Sequence, residues 1–319
     1  MVGNKTNSRK IEGAEMRPPR SNDPVQCRDV NGNTATLTAK SKSLPRSLHG
    51  PSFIRWAGSK RKSLRQLSAL LETFQGRYIE PFAGSAALFF AQSPQSAILG
   101  DLNGHLINAL RAVRDDPTAI HERLEVLPRN SETYYRIRTE FNRNTRHYGP
   151  SPAVQFLYLN RNCFNGLWRT NSSGDFNVPY GGMEMGNNPP LSLLLACSKS
   201  LRTAKLRHQD FRKTIAEARG GDFVYADPPY FTSAERTFIE YGKRSFGQRD
   251  LTDLIESLRV AELRGAIIAL TYSDSMKLDG LPESWNAIRF DVTRNIGGFK
   301  GARKRQTEIL YTNYGVVSE

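Results

Sequence analysis

Among all stretches of this chain, Asp222-Phe223-Val224-Tyr225-Ala226-Asp227-Pro228-Pro229-Tyr230 most narrows the folds available. An apolar strand runs into a carboxylate, then into two prolines that fix φ and remove backbone donors, then into an aromatic ring. As plain structure this is a proline turn after a buried strand, with Tyr230 packing as a lid. The other strand-like segments share its grammar. Tyr78-Ile79-Glu80 leads into the small-residue turn Gly84-Ser85-Ala86 and an apolar helix start, and residues 96–100 form a second strand ending at Asp101. Strand followed by helix followed by strand is the pattern of a doubly wound α/β sheet. Further strands are predicted at 222–226, 266–271, 287–292 and 308–313. The last two flank the Gly/Lys/Arg-rich loop 297–304 and read as a closing antiparallel hairpin.

The chemistry follows from where these segments end. A ligand can approach the backbone of the turn after the first strand only if the side chains there are small, and Gly84, Ser85 and Ala86 are. An acidic residue ending the second strand, here Asp101, is placed to accept ribose hydroxyls. Together they suggest an adenosine-containing cofactor. No GxxxxGK[ST] loop is present, which argues against an NTPase. The exocyclic amine of a nucleobase is a poor nucleophile, because its lone pair is delocalised into the ring. Asp227 could accept one amine hydrogen bond and the Pro228 carbonyl a second, while Tyr230 offers a face on which an extruded base can stack.

Composition agrees with a polyanionic partner. The 319 residues carry 45 Lys+Arg against 31 Asp+Glu, a formal net charge of +14. Residues 1–50 are rich in Ser, Thr, Asn, Lys and Arg, lack apolar periodicity, and read as a disordered basic tail. Nine Lys and Arg against four Asp and Glu lie there, so +9 of the charge belongs to the body. A membrane-surface role for the tail has no amphipathic helix behind it. No apolar run reaches the 18 or so residues of a membrane span, and no apolar segment follows Met1, so a cytoplasmic protein is expected. Cys27, Cys163 and Cys197 are too few and too scattered for a disulfide framework or a zinc site, and no metal is expected. Residues 106–197 interleave Tyr134, Tyr135, Phe141, Phe156, Tyr158, Phe164 and Trp168 with Arg136, Arg138, Arg143, Arg146, Arg161 and Arg169 in a mostly helical stretch. That mixture suits phosphate contact with base stacking.

The motif series resembles the Dam family of DNA adenine-N6 methyltransferases. It runs in order from about 53 to 315: the opening Phe53-Ile54-Arg55-Trp56-Ala57-Gly58-Ser59-Lys60, the turn Glu80-Pro81-Phe82-Ala83-Gly84, Asp101-Leu102-Asn103, Phe156-Leu157-Tyr158-Leu159-Asn160-Arg161, Asn165-Gly166-Leu167-Trp168-Arg169, Phe176-Asn177-Val178-Pro179-Tyr180-Gly181, and the DPPY motif at 227–230. Ser59 and Ala86 stand where the family usually has glycine, and both are small.

The resemblance implies a Rossmann-like methyltransferase sheet (51–105 and 198–319) with an inserted helical target-recognition domain (106–197). It implies S-adenosyl-L-methionine as cofactor, with Trp56, Ala57, Gly58 and Lys60 beside its methionine end and Glu80, Phe82 and Gly84 at the turn. Asp101 would hold the ribose, Asp210 and Phe211 would flank the adenine, and Asp227 would border both cofactor and substrate. Double-stranded DNA is the implied partner, with GATC or a site containing it as target. Arg169 would read a guanine, Leu167 and Pro179 would meet thymine methyls, Phe164 and Asn165 would enter the stack beside the flipped adenine, and Arg55 would touch the outer guanine. The loop Lys300 to Arg305 suits phosphate clamping. A monomer in solution is expected, with room for more than one molecule per DNA and for a cognate restriction endonuclease in the same bacterial or phage system. A cytosine-N4 or RNA amino-methyltransferase, and a non-catalytic DNA-binding relic, are the alternative readings. Intact Lys60, Asp101, Asp227 and Tyr230 argue against the relic.

Overall fold

A computed structural model describes residues 25–29, 34–37, 52–71, 74–144, 148–182, 187–230, 246–275, 278–295 and 303–315. Its centre is a parallel sheet of β3 (Tyr78–Glu80), β4 (Ala97–Asp101), β5 (Ala204–His208), β6 (Phe223–Ala226) and β7 (Ile267–Ser273), in the order β7-β6-β3-β4-β5. The predicted hairpin is present: β9 (Arg303–Thr312) pairs antiparallel with β7, and β8 (Asn286–Asn295) pairs antiparallel with β9. Loop 297–304 lies outside the described residues except at Arg303 and Lys304, where β9 begins.

Side chains of the parallel strands divide between the two faces with the period of two that a strand imposes. Tyr78, Ala97, Leu99, Phe223 and Tyr225 join an apolar cluster with α2 (Ala87–Gln92) and α3 (Gly104–Asp115). Ile79, Ile98, Val224 and Ala226 join the opposite cluster with α8 (Phe211–Ala216) and α9 (Gln248–Leu263). Both faces are therefore covered, which is why these strands read as unbroken apolar runs.

The helical stretch continues through α4 (Pro117–Glu125), α5 (Ser131–Arg143), α6 (Pro150–Asn162) and α7 (Leu191–Leu201). Local chemistry sets its helix starts. Asn103, Asp116 and Asn130 each accept a hydrogen bond from a backbone N–H of the first turn, and Pro117 occupies the first position of α4. Tyr134, Ile137, Phe141, Val154 and Phe156 belong to the same apolar cluster as Tyr78 and Phe89, so these helices share one core with that face of the sheet.

Two expectations change. Strands β1 (Val25–Asp29) and β2 (Thr34–Leu37) lie inside the stretch read as a tail; β2 pairs with β1, and β1 adds to β8, completing a nine-stranded sheet. Backbone pairing against an existing edge does not require the apolar periodicity on which the tail reading relied. Strand β5 was also not predicted. It sits at the sheet edge, where Lys205 is exposed between buried Ala204 and Leu206.

The order β6-β3-β4 puts the strand-order reversal beside β3, whose neighbours connect in opposite directions, and ligands of doubly wound sheets bind outside the carboxyl ends at such a point. At the opposite end, Asp222 accepts hydrogen bonds from the backbone N–H and the guanidinium of Arg77, locking the starts of β3 and β6 together. Backbones also touch here: a Cβ on Gly76 would stand 2.5 Å from the Gly221 carbonyl oxygen. Gly76→Ala should therefore destabilise the protein by about 1–3 kcal/mol, measured as a lowered denaturation midpoint. An unchanged midpoint would show that the two backbones can part at no cost.

Candidate active site

Asp227 follows β6 directly, and one oxygen, Oδ1, takes both of its hydrogen-bonding contacts. Lys60 Nζ lies 2.7 Å from Oδ1, and the Thr271 hydroxyl on β7 donates to the same atom at 2.9 Å. Among the described residues no hydrogen bond or ion pair reaches Oδ2, and the side chain retains 18% exposure. Lys60 itself is buried, in the short 3-10 helix Lys60–Lys62, and also donates to Tyr230 Oη at 3.2 Å and pairs with Glu308 Oε2 at 3.2 Å. Tyr230 is fixed from its other side by an edge contact with Tyr272, centroids 5.1 Å apart, and Pro228 is buried. Burial and the Glu308 carboxylate push the Asp227 pKa up, while the Lys60 ammonium and the Thr271 hydroxyl pull it back; the net direction is upward. Glu80, buried at the end of β3, accepts from Tyr78 Oη at 3.0 Å, and burial drives its pKa well above the usual carboxylate range, favouring its neutral form.

The turn after β3 is packed closely by its neighbours. Gly84 has φ +46°, and a Cβ there would come within 2.9 Å of Trp56 Cδ1, so both backbone shape and indole placement require glycine. Gly84 N–H donates to Asp101 Oδ2 at 3.0 Å, and Asn103 N–H donates to Oδ1 at 2.8 Å. Ser59 Oγ lies 2.7 Å from Ser85 Oγ, joining the Trp56–Lys60 segment to the turn, while Ala57 is partly exposed and Gly58 exposed. Ala86 adopts φ +50° despite its Cβ, which explains why glycine is usual at its position. Phe82 packs against Phe211 (centroids 5.1 Å) and Phe246 (5.9 Å). Asp210 caps α8 and pairs with Arg212 at 3.0 Å, so its carboxylate is engaged within the protein.

The residues expected at DNA gather in one loop between α6 and α7. Bridges Cys163↔Tyr180 and Thr170↔Phe176 close it, and Phe164 N–H donates to the Pro179 carbonyl at 2.9 Å. Asn165 and Gly166 are both left-handed, with φ +54° and +65°, which turns the chain sharply. Phe164, Asn165 and Pro179 are exposed; Leu167 and Arg169 are partly so. Arg169 Nε donates to Asn177 Oδ1 at 2.9 Å. Arg55 joins the loop from the other chain segment, donating through Nη1 to the Arg161 carbonyl at 3.2 Å. Trp168 stacks on Trp56, with centroids 6.4 Å apart and an 18° interplanar angle, so the loop and the Gly84 turn are in contact through two rings.

Sequence reasoning missed Thr271, Glu308 and Phe246. Thr271 reaches Asp227 through the parallel β6–β7 register, and Glu308 reaches Lys60 because β9 pairs with β7; both pairings are distant in sequence. A lone glutamate preceding Ile309-Leu310 in a strand was the available signal. Asp101 yields a test in pH. Burial raises its pKa from 3.8 to about 6, against the pull of backbone N–H groups. A carboxyl whose folded pKa is raised favours the folded state while protonated, and this contribution is lost as pH rises through the folded value. Between pH 4 and 6, wild type should therefore lose stability relative to Asp101→Asn in urea titrations. A difference independent of pH would contradict this environment for Asp101.

The family described as D12 class N6 adenine-specific DNA methyltransferase matches residues 56–296. The chain is 34% identical over 270 residues to the type II methyltransferase M1.LlaDCHI of Lactococcus lactis subsp. cremoris, covering 82% of this chain and 95% of that protein. It is 33% identical to the retron Ec67 DNA adenine methylase of Escherichia coli (81% and 90% covered), and 31% identical to the DNA adenine methylase of Escherichia coli strain K12 (83% and 96% covered). The chain thus belongs to the D12 class of N6 adenine-specific DNA methyltransferases, the Dam family its motif series resembles.

Proposed function

We propose that the protein transfers a methyl group from S-adenosyl-L-methionine to N6 of an adenine swung out of double-stranded DNA, within GATC or a site containing it. The observation that carries this reading is the oriented Asp227 at the strand-order reversal: Oδ1 is held by Lys60 and Thr271, and Oδ2 is left for a ligand. An adenine amine donating to Oδ2 would be positioned without prior deprotonation, and the Tyr230 ring would supply a stacking face. The Pro228 carbonyl, on a turn stiffened by two prolines, is the second proposed acceptor.

The residues present fit the cofactor. Gly84 lies buried under the Trp56 indole, Asp101 closes the neighbouring strand end, and Phe82, Phe211 and Phe246 form an aromatic group beside it. Trp56, Ala57, Gly58, Lys60, Glu80 and Asp210 complete the proposed surround, Glu80 and Asp210 through the packing and capping described above. When bound, S-adenosylmethionine supplies the electrophilic methyl group. The protein's part is to exclude water, hold the two reactants in line, and receive the amine hydrogen bonds.

The helical stretch from α3 to α7 is proposed to recognise the target through its 163–181 loop, with Arg169 reading guanine, Leu167 and Pro179 meeting thymine methyls, Phe164 and Asn165 entering the stack, and Arg55 at the outer guanine. A monomer acting in the cytoplasm, with more than one copy able to occupy a DNA, completes the proposal. Relatives named type II methyltransferases make a cognate restriction endonuclease part of it. Among the described residues no helix is long and apolar enough to cross a membrane.

Asp227→Ala should abolish methyl transfer to a GATC duplex while S-adenosylmethionine still binds; near-normal turnover would remove Asp227 from its role. Arg169→Ala should relax choice at one base pair, costing about 1–3 kcal/mol of discrimination. Modified-base sequencing of DNA from cells expressing each protein reads both outcomes, and unchanged site choice would assign the reading of that base to other residues.

A further inference from the structure

Two buried hydroxyls stand in line behind Asp227. The β6–β7 register pairs Tyr225 with Ala269 and Ala226 with Leu270, which brings Asp227 alongside Thr271. Residues two apart on a strand share a face, so Tyr225, Thr271 and Asp227 meet on one side of the sheet. Tyr225 is 1% exposed and Thr271 is fully buried. Tyr225 Oη lies 3.1 Å from Thr271 Oγ1, which lies 2.9 Å from Asp227 Oδ1. A threonine hydroxyl has one proton to donate. Its acceptors are the Asp227 carboxylate at 2.9 Å and the Ala226 carbonyl at 3.5 Å, and the shorter bond, to a carboxylate oxygen, is the stronger. Oγ1 then accepts from Tyr225, because burial, ahead of the Asp227 charge, raises that phenol well above its usual range and keeps it protonated. The chain therefore runs one way, from Tyr225 to Thr271 to Asp227. Its far end is a phenol buried in the sheet, so it acts as an anchor for the carboxylate.

We propose that Thr271 and Tyr225 are positioning residues for methyl transfer: their hydroxyl chain fixes the rotation of the Asp227 carboxylate and so presents Oδ2 to the adenine amine. Lys60 also meets Oδ1, but Thr271 is the stiffer donor. A β-branched side chain on a buried strand has few rotamers, whereas the lysine ammonium rides on a flexible stem. The inference deepens the reading of Asp227 as the group that receives the amine and rests on it, and its test separates the two.

The test measures single-turnover methyl transfer to plasmid DNA, and separately the calorimetric affinity for S-adenosylmethionine, in the full-length chain. Wild type is compared with Thr271→Val, Thr271→Ser and the double variant Thr271→Val with Tyr225→Phe. Valine keeps the branched shape without the hydroxyl, and Thr271→Val should transfer on the order of tenfold more slowly with donor affinity unchanged within about twofold. Thr271→Ser keeps the hydroxyl and should return the rate to within about threefold of wild type. Thr271→Val leaves the Tyr225 phenol buried without its acceptor, so it should unfold at lower urea than the double variant, which removes both hydroxyls. The double variant should be as slow as Thr271→Val, and it carries the kinetic test if the single variant does not fold. A double variant within about twofold of the wild-type rate, a serine variant as slow as the valine one, or donor affinity falling in step with the rate would overturn the proposal and leave the role of Asp227 standing. Wild type that transfers no methyl group to adenine in the plasmid would overturn both readings.

Discussion

A single buried ammonium organises the catalytic end of the sheet. Lys60 enters from the segment before α1 (Leu64–Leu70) and meets Asp227 after β6, Tyr230 in the following turn and Glu308 on β9. Removing one member of a buried charged group typically costs about 3–5 kcal/mol, because the others are left uncompensated. The opening segment, the central strand and the closing hairpin are therefore held in one arrangement by electrostatics as well as by packing. The same arrangement aims Asp227, since the contacts on Oδ1 decide which oxygen remains for a substrate.

Around this centre, steric requirements transmit position outward. Gly84 must lack a side chain because Trp56 stands where one would be, Trp56 stacks on Trp168, and Trp168 packs among Phe141, Phe156 and Phe176 while preceding Arg169 in the chain. The turn proposed for the cofactor and the loop proposed for DNA are thus parts of one packed body. Aromatic rings at such spacings carry large buried areas with few torsional freedoms, which suits a junction that must keep two sites in register.

The parts of this molecule legible in the sequence are those whose cause is local. Strands β3, β4, β6 and β7 are short apolar runs because helices cover both faces, and the turns that end them carry Gly84, Asp101 and Asp227 where ligands of such sheets bind. The loop bearing Phe164 to Pro179 could be placed as a unit by its motif series, although not its closure by the Cys163 and Thr170 bridges. What escaped has a non-local cause. Strand β5 alternates charged and apolar residues at an edge, and β1 and β2 depend on pairing with β8. Thr271 enters the site through the β6–β7 register and Glu308 through the β7–β9 register, which no short window of sequence contains. Asp210 shows the converse: a motif residue that also performs a structural task, capping α8 and holding Arg212.

The central claim is that the oriented Asp227 grips an extruded adenine beside the methyl donor. A crystal structure of the protein with a GATC duplex and a non-reactive donor analogue tests it most directly. The account predicts one adenine out of the helix, its N6 amine within hydrogen-bond distance of Asp227 Oδ2 and its ring against Tyr230. An adenine still stacked in the duplex, or an extruded base held away from Asp227 with the analogue bound elsewhere, would contradict it.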